Sequence, residues 1–143
     1  SMRARLIVAG PDVPAGKKIE TPVYIQDIMP SILELGNVEK PQSVDFNSLL
    51  PLAKGNQQGK QYDAIYGAYM MRQRMIVKDN MKLIAYPEAK VFRLYDLGKD
   101  PLEMKDLSGE EAYTEKKRAL FEELKALQEK MDDPLGLEME NLL

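Results

Sequence analysis

The sequence predicts an α+β fold in which a small four-stranded antiparallel sheet packs on a long C-terminal helix. Two observations carry this prediction. Between residues 62 and 97, four runs rich in β-branched and aromatic residues follow one another at short intervals. Beyond them, apolar residues recur at helical spacing toward the C-terminus. A helix that covers one face of a sheet gives a two-layer unit.

The four predicted strands occupy residues 62–70, 73–77, 81–86 and 91–97. The dipeptide Asp79–Asn80 and the segment Pro87–Lys90 separate the last three strands at lengths typical of hairpins. An antiparallel meander is therefore expected. Alternation along the first strand places one set of side chains on a common face, namely Tyr62, Ala64, Tyr66, Ala68 and Met70.

The long helix is indicated by a stripe of apolar residues, which comprises Leu120, Leu124, Leu127 and Met131. Three residues are predicted to cap helices. Ser108 forms a capping box with Glu111 at the start of the long helix. Asp100, followed by Pro101, begins a short helical segment, and Asp27 begins a helix near the N-terminus.

The N-terminal part is predicted as a strand, a loop and a helix. Leu6–Ala9 is a short apolar run of the kind found in strands buried on both faces. After a proline-rich loop, the spacing of Ile28, Ile32 and Leu35 predicts an amphipathic helix. Residues 40–60 form a connector, so the expected units are 3–59, 60–135 and a tail at 136–143. Ser1 precedes Met2 and is interpreted as a cloning remnant, so the native start is Met2 or lies upstream.

Composition excludes several classes of function. Twenty Lys plus Arg against 23 Asp plus Glu give a net charge of −3, which disfavours nucleic acid and anionic membranes as partners. The chain has no Cys and no His, so it lacks thiolate or imidazole metal ligands and any imidazole base. No apolar run approaches the ~18 residues of a membrane span. We therefore expect no nucleic-acid partner and no membrane partner.

Candidate site residues are few. Gln73 and Arg74 lie at a strand start, where the arginine either binds an anionic substrate group or pairs with a neighbouring carboxylate. Tyrosines 62, 66 and 69 are either core and rim residues or a stacking platform for sugars or bases. Four carboxylates lie close together in sequence but lack calcium-loop spacing, so we predict structural roles for Asp96, Asp100, Glu103 and Asp106.

A series of segments in a fixed order resembles the closing part of the sulfatase family. Each is modest alone, but together they span the chain from about Leu6 to Leu135. The main departures are Ser31, where the family usually has Thr, and Asn37, where Gly is common. The matching segments are Leu6–Pro11, Thr21–Val23, Asp27–Leu33, Ser48–Leu52, Lys82–Ile84, Leu94–Leu97, Asp100–Pro101, Glu103 and Asp106–Leu107.

The resemblance implies a parent enzyme with an alkaline-phosphatase-like fold that hydrolyses sulfate esters. Such enzymes use a formylglycine made from a Cys/Ser-x-Pro-x-Arg motif, together with a calcium ion. Those motifs lie upstream of the segment matched here, so no catalytic or metal-binding residue carries over to this chain, and we expect it to be inactive alone. In the family the C-terminal subdomain borders the active-site cleft, which keeps Gln73 and Arg74 as substrate-pocket candidates.

The resemblance also implies partners. The strand, loop and helix before the connector resemble the end of the large α/β domain of a sulfatase, so the missing N-terminal catalytic domain is the expected partner. Without it, apolar surfaces around Leu6–Ala9 and Ile28–Leu35 stay uncovered, and a homodimer is expected. The alternative is a stand-alone binding or scaffold module derived from a sulfatase. Only the family suggests a compartment, the periplasm or the exterior.

Overall fold

The computed structural model describes residues 4–55 and 61–143. The chain divides into two compact units, residues 1–63 and residues 64–143. The last five residues of the predicted connector, 56–60, and the first three residues of the chain lie outside the described part. Each unit is described by itself below.

The second unit contains the predicted antiparallel meander. Its strands are β1 (Ile65–Tyr69), β2 (Gln73–Lys78), β3 (Met81–Tyr86) and β4 (Val91–Asp96), in that order across the sheet. The turn between β2 and β3 is the dipeptide Asp79–Asn80, and both residues have positive φ, 47° and 62°. These values match the type I′ turn that suits the twist of a two-residue hairpin. The first strand begins at Ile65 and not at the predicted residue 62, and the Tyr62 hydroxyl instead donates to Asp27 within the first unit.

The helix α3 (Thr114–Lys130) lies against one face of this sheet and confirms the predicted two-layer arrangement. The core between them includes Ile76 and Leu83 from the sheet and Phe121 from the helix, each fully buried. The rings of Phe92 and Phe121 meet edge to face with centroids 5.0 Å apart. Such an aromatic pair contributes about 1 kcal/mol beyond the area that it buries.

Residues 136–143 pack on the same core, which differs from the predicted tail. Leu137 is 6% exposed and Met139 is 1% exposed. Lys117 of α3 donates hydrogen bonds to the carbonyls of Ser108 and Leu142, which ties the end of the chain to the helix. Apolar residues in irregular backbone can still fill a core.

The first unit contains the helices α1 (Ile28–Leu35) and α2 (Leu50–Ala53). Helix α1 ends in a Schellman motif, in which Asn37 takes a left-handed φ of 53° and Val38 N donates to the carbonyl of Leu33 at 2.9 Å. Leu6–Ala9 is not part of a sheet, contrary to the predicted strand. No described residue pairs with its backbone, and an apolar strand needs neighbours on both edges to be buried.

Two predicted caps act differently in the structure. The short helical segment after Asp100 is a turn, because Glu103 adopts a left-handed φ of 57°. The Asp100 carboxylate accepts the backbone N–H of Lys105 instead. Ser108 forms no capping box, since a 3-10 turn at Glu111–Tyr113 precedes α3 and the Ser108 hydroxyl donates to Asp106. Among the described residues, no helix is long and apolar enough to cross a membrane.

Candidate functional site

Arg74, a predicted substrate-pocket residue, lies inside the second unit with 2% of its surface exposed. Its guanidinium forms a two-pronged ion pair with Asp133, with both N–O distances 2.6 Å. Nη1 donates to the carbonyls of Met70 and Gln73, and Nη2 contacts the sulfur of Met71 at 3.9 Å. These contacts occupy all five N–H groups of the guanidinium.

Tyr66 completes this cluster by donating its hydroxyl to Oδ2 of Asp133 at 2.6 Å. The hydrogen bonds from Arg74 and Tyr66 hold the pKa of Asp133 well below its usual range, against the opposing effect of burial. Burial, and then the bond to Asp133, raise the pKa of the Tyr66 hydroxyl. At neutral pH the cluster is a charged pair with a neutral phenol. Its geometry is that of an internal anchor that joins the end of α3 to the sheet.

Gln73, the other pocket candidate, lies at the start of β2 opposite Tyr69 of β1. Strand alternation directs the Gln73 and Arg74 side chains to opposite faces of the sheet, so the structure does not bring them together. The Arg74 side chain lies on the sheet face that packs against α3, whereas the Gln73 side chain lies half-buried on the other face of the sheet. Any ligand contact in this region would therefore involve Gln73 rather than Arg74.

Asp27, predicted as an N-cap, is fully buried in the first unit. Its side chain makes no hydrogen bond to the first turn of α1. The carboxylate instead accepts the backbone N–H groups of Tyr24 and Asn47 and the hydroxyl of Tyr62. Burial and the bond to Asp27 raise the pKa of Tyr62. Asp27 thus joins the start of α1 to a segment twenty residues later.

The four clustered carboxylates each have a structural partner, which for Asp100 is the backbone N–H of Lys105. Asp96 accepts the backbone N–H groups of Gly98 and Lys99, while Glu103 pairs with the buried Lys82 at 2.7 Å. Asp106 accepts the backbone N–H groups of Leu94 and Ser108 and pairs with the Arg93 guanidinium. In the part of the chain that the structure describes, no group of three or more acidic side chains could hold a metal ion.

The cofactors of the sulfatase family therefore do not fit the residues present. The chain has no Cys, and none of its serines begins a Ser-x-Pro-x-Arg motif that could become a formylglycine. The buried carboxylate of Asp27 already accepts three hydrogen bonds. No catalytic step can be assigned to these residues.

A family model for the C-terminal part of N-sulphoglucosamine sulphohydrolase matches residues 1–130. The chain belongs to this family of sulfatase C-terminal domains. It is 32% identical over 125 residues to a sulfatase from Formosa agariphila, covering 87% of this chain and 24% of that protein. It is 27% identical over 119 residues to arylsulfatase K from Xenopus laevis, covering 73% of this chain and 22% of that protein.

A solved structure shows the same relationship. A proposed sulfatase from Bacteroides thetaiotaomicron superposes with a TM-score of 0.76 and 25% identity, over 87% of this chain and 29% of that chain. The chain thus spans about a quarter of the length of these three sulfatases, and 60% of the length of another relative, from Haemophilus influenzae, to which it is 28% identical. The resemblance seen in the sequence segments is confirmed.

Sequence reasoning missed two buried polar contacts. No role was predicted for Asp133, and Asp27 was predicted only as a cap. In both cases the partner is distant in sequence, since Arg74 precedes Asp133 by 59 residues and Tyr62 follows Asp27 by 35. The available signal was charge inside apolar surroundings: Arg74 precedes an apolar run, and a buried charge requires a partner.

Proposed function

We propose that this chain completes the fold of a sulfatase whose catalytic residues lie upstream, and that it has no hydrolytic activity alone. The whole enzyme would hydrolyse sulfate esters, including the sulfated amino sugars named by its family. The formylglycine, and the calcium ion expected from the family, would be held by the upstream part. This chain would supply surfaces on which that part packs.

The observation that carries the proposal is the inverted burial of α1. Ser31 of this helix and Asp27 just before it are buried, while the apolar side chains of Met29, Ile32 and Leu35 are 47%, 62% and 68% exposed. The Ser31 hydroxyl donates to the Asp27 carbonyl at 2.6 Å and accepts the Leu49 N–H at 2.8 Å, which fixes this orientation. A helix that turns apolar residues outward is suited to contact with another protein surface.

Two other features of the first unit support the same role. Leu6–Ala9 carries no sheet partner among the described residues, and Ile7 is 89% exposed. An apolar cleft of about 660 Å³ lies beside it, lined by residues that include Val13, Leu49 and Leu52. An exposed apolar segment of this kind marks a surface that another part of the protein covers. The upstream part of a sulfatase would supply that cover.

An activity assay tests the proposal. The purified chain should not hydrolyse an aryl sulfate with or without calcium, whereas the upstream part should be active only when it is produced together with this chain. Calcium-dependent turnover by the chain alone would overturn the proposal. Full activity of the upstream part without this chain would overturn it as well.

A further inference from the structure

The segment that follows α3 turns alternate side chains toward the core of the second unit. We call residues 134–143 the C-terminal strap. Leu137 and Met139 are buried, whereas Glu138 and Glu140 are exposed. A period of two is that of an extended chain with one side turned inward. Within the described residues no strand of the sheet pairs with the strap, so a backbone ladder does not hold it.

Polar side chains on one side of α3 hold the strap, and they contact it in antiparallel order. Positions 117, 125 and 128 are separated by eight and three residues, which places them on the same side of a helix. We call Lys117, Lys125 and Gln128 the strap groove. The contacts are Gln128 Nε2 to the Leu135 carbonyl, Lys125 Nζ to the Glu140 carboxylate at 2.8 Å, and Lys117 Nζ to the Leu142 carbonyl at 3.3 Å.

The chemistry of the groove matches that of the strap. The ammonium of Lys125 lies 5.2 Å from the centroid of the Phe121 ring and also pairs with Glu140, so it reaches from the apolar core to the acidic edge of the strap. Lys125 pairs with Glu122 of its own helix as well, at 3.1 Å. Exposed ion pairs contribute little, so the buried apolar side chains of the strap supply most of the affinity.

The start of the strap is fixed independently of the strap itself. Asp133 is held by Arg74 and Tyr66, so the residues that end α3 keep their place whether or not the strap is seated. Pro134 follows directly. The strap also begins beyond residue 130, where the match to the family model ends. The strap can therefore leave the groove by a local opening that keeps the sheet and α3 folded.

We infer that the strap groove is a docking site for a peptide and that the strap occupies it as an intramolecular ligand. The ligand class is an extended acidic peptide with large apolar side chains at alternate positions, which is the pattern of the strap. Such a peptide from another protein binds when the strap is released, and its affinity falls in proportion to the fraction of the chain in which the groove is open. The inference concerns the second unit and does not rest on the proposed function.

Fluorescence anisotropy with a labelled synthetic peptide of residues 134–143 tests this inference on the whole chain. Met139→Asp places a charge at a position that is 1% exposed and should release the strap, so this variant should bind the peptide about tenfold or more tightly than the unchanged chain. The matched control is Glu138→Asp, which places the same residue at the exposed neighbouring position and should bind as weakly as the unchanged chain.

A second pair of variants locates the bound peptide. Gln128→Ala, added to the Met139→Asp chain, removes the donor to the strap carbonyl and should weaken binding by roughly three- to tenfold. Lys116→Ala removes an exposed cation of α3 outside the groove and should leave binding unchanged. A peptide that itself carries the Met139→Asp change should not bind.

Equal binding by the Met139→Asp chain and the unchanged chain would overturn the inference, and so would binding that Gln128→Ala does not weaken. Hydrogen exchange of the unchanged chain decides the matter if Met139→Asp does not fold. The amide of Met139, which donates to the Leu137 carbonyl at 2.9 Å, should exchange at urea concentrations at which the amides of β3 stay protected. Exchange of both only through global unfolding would show that the strap is not released, and would overturn the inference.

Discussion

The guanidinium of Arg74 and the carboxylate of Asp133 face each other in a two-pronged pair, with Nε–Oδ2 and Nη2–Oδ1 distances of 2.6 Å. The side chains are 3% and 11% exposed, so the pair is largely shielded from water. It joins the first half of the sheet to the residues that follow α3. It is a buried ion pair that links the sheet to the C-terminal end of α3.

Removing one partner of this pair should destabilise the second unit. Asp133→Asn would leave the buried guanidinium without a counter-charge, and we expect a loss of about 3 kcal/mol in the free energy of unfolding. Asp132→Asn is the matched control, because Asp132 is exposed and next in sequence. Urea unfolding measures both variants. An equal stability of Asp133→Asn and the unchanged chain would contradict the assignment of the pair as an anchor.

The same pair predicts a specific acid dependence of stability. The pKa of Asp133 is lower in the folded chain than in the unfolded chain, so the unfolded state binds a proton first as pH falls. The stabilising contribution is complete above the ordinary carboxyl pKa of about 4 and is lost progressively below it. Unfolding measured between pH 7 and pH 2 should show a steeper loss for the unchanged chain than for Asp133→Asn. Parallel curves would argue against this contribution.

The C-terminal segment should contribute to stability as a part of the core. Met139 is 1% exposed, so Met139→Ala should cost about 2–5 kcal/mol through lost burial and a cavity. Glu138→Ala, at the exposed neighbouring position, should change stability by less than about 0.5 kcal/mol. Thermal unfolding compares the two variants. If Met139→Ala were as stable as Glu138→Ala, residues 136–143 would be the tail that the sequence suggested.

The exposed apolar side of α1 should cause the chain to self-associate in the absence of an upstream domain, and we propose a homodimer through this surface. Ile32→Glu should shift the chain to a monomer in light scattering without loss of stability, because Ile32 is 62% exposed. The polar replacement Glu34→Gln, on an exposed position of the same helix, should leave association unchanged. A monomeric unchanged chain at tens of micromolar would contradict this proposal.

The fold of the second unit was predictable because its signals are local. The spacing of Leu120, Leu124 and Leu127 and the Asp79–Asn80 turn each specify structure within a few residues. The anchors were not predictable, because Asp133 and Asp27 reach partners far away in sequence. The strand at Leu6–Ala9 was predicted from composition, but no described part of this chain supplies the neighbours that it needs.

For the candidate site residues, too, the sequence contained local signals but not the contacts with residues distant in sequence. Arg74 was recognised as a residue with either a structural or a binding role, and only its distant partner distinguishes the two. Gln73 was predicted beside Arg74, but only the strand geometry shows that the two side chains lie on opposite faces of the sheet.

The central claim is that this chain is the non-catalytic C-terminal portion of a sulfatase, and sequencing the source DNA upstream of the codon for Arg3 tests it most directly. The account predicts a continuous open frame of several hundred codons that contains a Cys/Ser-x-Pro-x-Arg motif. A stop codon directly before Met2 would contradict it and would favour a stand-alone module that binds another protein.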